Sequence, residues 1–294
     1  MKELLAPAGD MECLKTAFRF GADACYIGGP LLQLRSGVTG FSLEKIAEAA
    51  AYAHEKNKKL YVTVNSFAKD KEFTDIAAYA RQLAERKVDA VIVSDIGVLA
   101  QIAKSAPELE IHVSTQANCQ NAEAAKVYHA LGARRIVLAR EMTLPDIQEF
   151  SSKIPKDLEI EAFVHGAMCM AYSGRCFISS YLTGRSGNRG ECTQPCRWSY
   201  HITETKRPGE FFQIEETDSG TNILSSRDMN CMDIIDDMTA AGITSFKIEG
   251  RMKTPYYVAT VVSAYRKRLD GCTDLDALNH ELDCISHRPY CTGF

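Results

Sequence analysis

The sequence predicts an α/β fold, a (β/α)8 barrel of the TIM type, with a long cysteine-containing insertion after the seventh strand. Three observations carry that prediction. Eight short apolar runs alternate with amphipathic stretches along the 294 residues. No GxGxxG follows any of these runs, which weighs against a doubly wound open sheet, the main rival. One long segment, from Gly166 to about Ser226, breaks the rhythm at a point where a strand-to-helix loop normally takes about two to six residues.

The strand-like runs are ELLAPAG at 3, ACYIGG at 24, KLYVTVN at 59, AVIVSD at 90, IHVSTQ at 111, RIVLARE at 135, LEIEAFVHG at 158 and SFKIEGR at 245. Between them lie patterns such as SLEKIAEAAAYAHEKN and FTDIAAYARQLAERK, whose apolar residues recur at three and four positions with charges opposite. Ser42 and Thr74 read as helix N-caps. Gly21, Gly132 and Gly242 end helical runs just before strands, as left-handed caps do. Within the insertion, HITETKRPGEFFQIEETDSGTNIL reads as one or two β-hairpins. The barrel with its insertion is expected over residues 1–271. Residues 272–294 form a further segment, one short helical stretch ending in SHRPYCTGF, that reads as cut before another domain.

Composition narrows the class. The chain is 46% hydrophobic and 24% charged, enough to bury a large core. No apolar run reaches membrane-spanning length and MKELLAPAGD has no apolar signal core, so a cytoplasmic protein with no membrane partner is expected. A net charge of −4 argues against non-specific coating of nucleic acid, though not against a local basic patch.

Four of the eleven cysteines, Cys169, Cys176, Cys192 and Cys196, crowd into one glycine-rich stretch of the insertion. In a reducing compartment such a cluster reads as metal-binding or catalytic before it reads as a disulfide staple, and an odd total fits poorly with a pure disulfide framework. The spacing matches neither a zinc ribbon nor a CxxCxxC iron–sulfur motif, so it is not diagnostic alone. Four thiolates satisfy zinc or a 4Fe–4S cluster equally, and Arg175, Arg185, Arg189 and Arg197 would offset their charge. The plainer reading is buried apolar cysteine, which suits Cys13, Cys25 and Cys119 better. Cys231 is a reserve ligand.

Strand alternation places polar residues at the barrel mouth. In SFKIEGR, Phe246 and Ile248 alternate with Lys247 and Glu249, so the charged pair should face inward. By the same count Thr63, Asn65, Thr115, Glu161 and His165 face the interior, and Asp95, Gln116 and Arg140 end their strands. The plain alternative is a closed structural ion network, or for His165 a satisfied buried histidine. Peptide hydrolysis finds no support: HExxH and GxSxG are absent, and HEKNK at 54 lacks the second histidine.

At these residues the chain resembles the peptidase U32 (collagenase-like) family. EAFVHGAMCMAYSGRCFIS carries the resemblance, with LLAPAG, ADACYIGG, VTVN, VSTQAN, KIEGRMK and SHRPYCTGF. RCFISSYLTGRSGNRGECTQPCRWSY is most similar to the family's tRNA hydroxylation protein P branch. The resemblance implies a 4Fe–4S cluster held by Cys169, Cys176, Cys192 and, through CTQPCRW, Cys196, with zinc as its replacement in air. It implies oxygen-independent RNA hydroxylation: 5-hydroxyuridine at the tRNA wobble position, with prephenate as hydroxyl source. The implied partners are tRNA, prephenate and a partner chain of the same family. Binding a dicarboxylate needs cations in a cleft, and Arg140, Arg251 and Lys247 are the candidates. Asn65 and Gln116 would add neutral hydrogen bonds. Lys247, Glu249 and His165 are the candidate catalytic residues. The alternatives are a collagenase-type peptidase and a zinc-stabilised barrel that binds a small acid.

Overall fold

A computed structural model describes residues 2–34, 40–198, 201–202, 205–206, 208–209, 212–213 and 226–293. All eight expected strands are present. They are β1 (Glu3–Pro7), β2 (Ala24–Gly28), β3 (Lys59–Val64), β4 (Ala90–Val93), β5 (Glu110–Val113), β6 (Ala133–Val137) and β7 (Glu159–Ala167), with the last, β11 (Ser245–Ile248), following the insertion. Neighbours pair in parallel from β1 through to β7, and β11 pairs with both β1 and β7, which closes the barrel. Helices α1 (Met11–Arg19), α2 (Leu43–Glu55), α3 (Phe73–Glu85), α4 (Ile96–Ser105), α5 (Ala122–Ala130) and α6 (Leu144–Lys153) fill the intervals.

The helices start and stop where local chemistry dictates. Ser42 caps α2, its hydroxyl accepting from the Lys45 amide. Thr74 is not a cap. A 3-10 turn at Asp70–Glu72 runs directly into α3, so that helix begins two residues earlier than a Thr74 cap would set it, at Phe73. Gly21, Gly132 and Gly242 do take positive φ, at 109°, 104° and 100°.

Alternation sorts side chains into two layers. Leu4, Ile27, Val62, Val91, Ile136 and Phe246 face the helices in the large core. Leu5, Ala24, Tyr26, Tyr61, Ala90 and Ile92 form a separate apolar cluster inside the barrel. Ions fill the rest of the interior. Arg135 of β6 pairs with Glu3, Glu159 and Glu161, and Lys247 pairs with Glu161 at 2.7 Å.

The insertion departs from β7 and holds α7 (Ile178–Thr183), a helix not foreseen from the sequence. The expected hairpin is present in part: β8 (His201–Ile202) pairs antiparallel with β9 (Phe212–Gln213), and the rest of that stretch lies outside the described residues. The chain returns through β10 (Asp228–Asn230), antiparallel to the upper half of β7 with Asp228 opposite Ala167. After α8 (Ile235–Ala240), β11 and α9 (Pro255–Leu269), the last segment forms α10 (Leu275–Asp283) and β12 (Tyr290–Cys291), which pairs with β10. This segment packs on the barrel: Arg288 pairs with Asp228 at 2.7 Å and Tyr290 donates to the Leu282 carbonyl.

Candidate active site at the barrel mouth

The C-terminal ends of the strands gather polar side chains. Thr63 points inward from β3, and Arg251, just past β11, donates through Nη1 to its hydroxyl at 3.2 Å and to Gln33 Oε1 at 3.1 Å. Gly28 makes room for this contact. A Cβ there would lie 1.9 Å from Gln33 Oε1 and 2.2 Å from Arg251 Nη1. Asn65 follows β3 and reaches Ser114 through Nδ2 at 3.5 Å, while its buried Oδ1 has no partner. Thr115 Oγ1 and Glu141 Oε2 are likewise buried without partners. Three unmatched polar atoms at the ends of β3, β5 and β6 are costly unless something else satisfies them.

Lys247 does face inward, but its partner is Glu161 and not Glu249. Its ammonium also lies 4.6 Å from the centre of the Tyr26 ring. Glu249 stands one residue past the end of β11, where strand alternation no longer governs it, and Tyr26 Oη lies 3.3 Å from its Oε2. Burial pushes the Glu161 carboxyl up, but Lys247 and then Arg135 outweigh it and hold it down at about 2.

His165 is not at the mouth. The pairing of β7 with β11 slips between Lys247 and Ile248, so His165 sits opposite Ile248, a residue of the outer layer. It therefore turns outward, among Tyr257 and Tyr265 of α9 and Tyr290 of β12. Burial pushes its imidazole down to about 3.

The cysteine segment lies across the mouth as a roof. Its contacts run round the barrel. Gly174 lies so close to Gln116 that a Cβ would meet the Gln116 carbonyl oxygen at 2.0 Å, and Gly190 would meet that of Gln33 at 2.6 Å. The Phe67 amide donates to the Asn188 carbonyl at 3.3 Å. Arg189 grips Glu72 with both terminal nitrogens, at 3.0 and 2.8 Å. The Ser173 amide donates to Glu141 at 2.7 Å. Arg140, expected to bind substrate, is instead built into this roof. Its Nε, Nη1 and Nη2 donate to Ser173 Oγ and to the carbonyls of Cys169 and Ala171. Gln116 touches the roof through its backbone and its side chain is partly exposed.

The four roof cysteines share one electrostatic neighbourhood. Burial pushes the Cys196 thiol up and Cys169 adds to that; Arg197 opposes, and Cys192 and Cys176 add further. An all-thiol donor set of this kind suits a 4Fe–4S cluster or zinc. Among the described residues no three His, Cys, Asp or Glu side chains stand at metal-holding separation, so binding requires the sulfurs to draw in. Cys231 is elsewhere. It is buried, its thiol 3.7 Å from the Thr292 carbonyl oxygen, and it lines a cavity on the outer side of β7 with Met229 and Ile147. Cys13, Cys25 and Cys119 are buried in the outer core as expected. Sequence reasoning missed Gln33 and Gly28. A glycine at an inward-facing strand end was the signal available for the second.

Fold and site together define a TIM-type barrel whose mouth is roofed by a four-cysteine insertion, an architecture suited to chemistry at the strand ends. The model of peptidase family U32 matches residues 9–294, and the chain belongs to that family. It is 41% identical to tRNA hydroxylation protein P1 of Bacillus subtilis (strain 168) over 99% of this chain and 70% of that one. It is 35% identical to tRNA hydroxylation protein P of Escherichia coli (strain K12) over 99% of this chain and 74% of that one. Among solved structures, that of a U32 peptidase superposes with a TM-score of 0.54 at 14% identity, covering 85% of this chain and 93% of the other, which supports the barrel alone. Among the described residues no helix is long and apolar enough to cross a membrane.

Proposed function

We propose that the chain is an RNA-modifying enzyme that hydroxylates tRNA without molecular oxygen, forming 5-hydroxyuridine at the wobble position with prephenate as hydroxyl source. The observation that carries this reading is the placement of the four-cysteine roof directly over a mouth lined with unmatched polar atoms. The names of its relatives point the same way. Cys169, Cys176, Cys192 and Cys196 would hold a 4Fe–4S cluster, which when bound supplies the one-electron chemistry that replaces oxygen.

The chain's own residues do the rest. Arg251, oriented by Gln33 and Thr63, offers a guanidinium to a carboxylate of the small acid. Asn65 Oδ1 and Thr115 Oγ1 can take hydrogen bonds from a base edge or a hydroxyl, with Gln116 beside them. Glu249, close to the Tyr26 hydroxyl, is placed to move a proton at the mouth. Lys247 acts from below, holding Tyr26 and Glu161 in place. Arg140 positions the roof. The peptidase reading lacks its machinery: among the described residues no serine or cysteine side chain hydrogen-bonds a histidine ring, and the one such contact, from the Cys284 thiol, goes to the His280 backbone carbonyl.

The test is nucleoside analysis of tRNA from a strain lacking the chain. The 5-hydroxyuridine should vanish, return with the wild-type chain, and fail to return with Cys169→Ser. Iron measured after anaerobic purification should be lost from each of the four Cys→Ser variants and kept by Cys13→Ser and Cys231→Ser. Unchanged tRNA in the deletion strain would refute the reaction.

A further inference from the structure

The roof has an outer surface as well as an inner one. On it, Phe177 is 71% exposed, Tyr181 78% and Trp198 48%. A single exposed ring is ordinary on a protein surface, but several grouped on one patch mark an interaction site. They lie close together. In the short helix α7 only Ser179 is buried, and its hydroxyl ties the helix to the Arg185 carbonyl and to Thr193, while α7 packs against the 195–197 turn that precedes Trp198.

Charge selects the occupant. Between residues 169 and 198 the chain carries four arginines against one glutamate, although its overall charge is −4. Arg175, Arg185 and Arg197 are exposed on the same segment as the rings, Arg197 donating to Gln194, whereas Arg189 is committed to Glu72. Protein-docking faces are also enriched in aromatics and arginine, so the discriminating feature is the one-sided positive charge of this segment on an otherwise acidic chain, which suits a polyanion. Aromatic rings together with arginines are what unpaired nucleotides need: flat surfaces for bases and cations for phosphates.

We propose that this outer face of the roof is a docking platform for single-stranded RNA, on which unpaired bases stack against Phe177, Tyr181 and Trp198 while Arg175, Arg185 and Arg197 hold the phosphates. The proposal rests on the RNA-modifying reading and adds to it the form of RNA recognised and the surface that recognises it. A base stacked on the roof lies at the rim of the mouth, so docking would leave a neighbouring nucleotide free to enter.

Trp198 is the chain's single tryptophan, so its fluorescence reports on this face alone. The experiment titrates the full chain, anaerobically and with iron measured, with a short RNA hairpin bearing an unpaired loop, and with a blunt duplex of equal length. The hairpin should quench Trp198 and bind more tightly than the duplex. Tyr181→Ala should weaken hairpin binding roughly tenfold, as the loss of one stacked base does. Arg185→Gln should lower the slope of log affinity against log salt by about one. Equal affinity for hairpin and duplex, or unchanged affinity in both variants, would overturn the proposal. So would wild-type self-association that Tyr181→Ala abolishes without RNA, which would assign the face to a second copy. If the variants bind hairpin normally and still restore 5-hydroxyuridine, the platform is wrong and the reaction stands. If they lose binding while tRNA from the deletion strain is unchanged, the platform stands and the reaction falls.

Discussion

Lys247 and Glu161 are both almost fully buried, and each is the other's main counter-charge, with Arg135 beside them. Removing one member leaves an uncompensated charge, so Lys247→Met should cost about 3–5 kcal/mol in a denaturant titration. A carboxylate held down in the folded chain contributes stability that is present above its unfolded pKa of about 4.3. That contribution is lost as pH falls towards the folded value, about 2 for Glu161. Wild-type stability should therefore drop with acid across that window, and Lys247→Met should flatten the drop. His165 adds an acid liability in a neighbouring range. Its unfolded form takes up a proton below about 6.5. The folded form resists until about pH 3, so stability falls with acid between those values. Its ring signals in an NMR titration should stay flat from about pH 8 to 5. A midpoint near neutrality would show that the tyrosine cage is open.

The elements explain what could be read in the chain and what could not. The eight barrel strands were legible because each is an apolar run bounded by helical patterns, a signal that depends on neighbours in sequence alone. Glu161 and Lys247 were correctly read as facing inward by simple alternation. His165 was misread because one slip of register between β7 and β11 reverses a face, and nothing in the composition of EAFVHGA marks it. The short strands β10 and β12 escaped because each exists through its pairing with the other and, for β10, with β7. Six-residue α7 escaped because ISSYLT buries only a serine and shows no helical stripe. Arg140 looked like a ligand for a substrate because its true partners, backbone carbonyls at 169 and 171, are invisible to a motif. The roof itself is held by close backbone approaches. Gly174 has φ of +70° and no space for a Cβ, so Gly174→Ala should lift the roof from Gln116. Limited proteolysis between 175 and 197 should then accelerate and iron be lost, with little change in the unfolding midpoint of the barrel beneath.

At the scale of the whole molecule, the barrel and the last segment form one body. Asp228 of β10 receives Arg288 through both its Nε and Nη2, the Cys231 thiol meets the Thr292 carbonyl, and Leu278 and Leu282 of α10 are buried in the main core. Ending the chain at residue 271 would strip β10 of a strand partner and uncover Leu278's neighbours on α9. Such a chain should melt below the full one in a calorimetric scan, by about 2 °C for each kcal/mol of stabilisation removed. A shortened chain that melts at the same temperature would show the segment to be an appendage.

The bridge between Asp228 and Ala167 has a consequence for how this fold can change. The insertion leaves and re-enters the barrel at two hydrogen-bonded neighbours, so its two ends are pinned together whatever lies between. Lengthening a loop whose ends are already joined costs only about 0.6 kcal/mol for each doubling. The barrel is thus insulated from the length of what it carries. Residues between the roof and β10 can be added, removed or exchanged for another module while the eight staves keep their register, much as a tool is changed in a fixed handle.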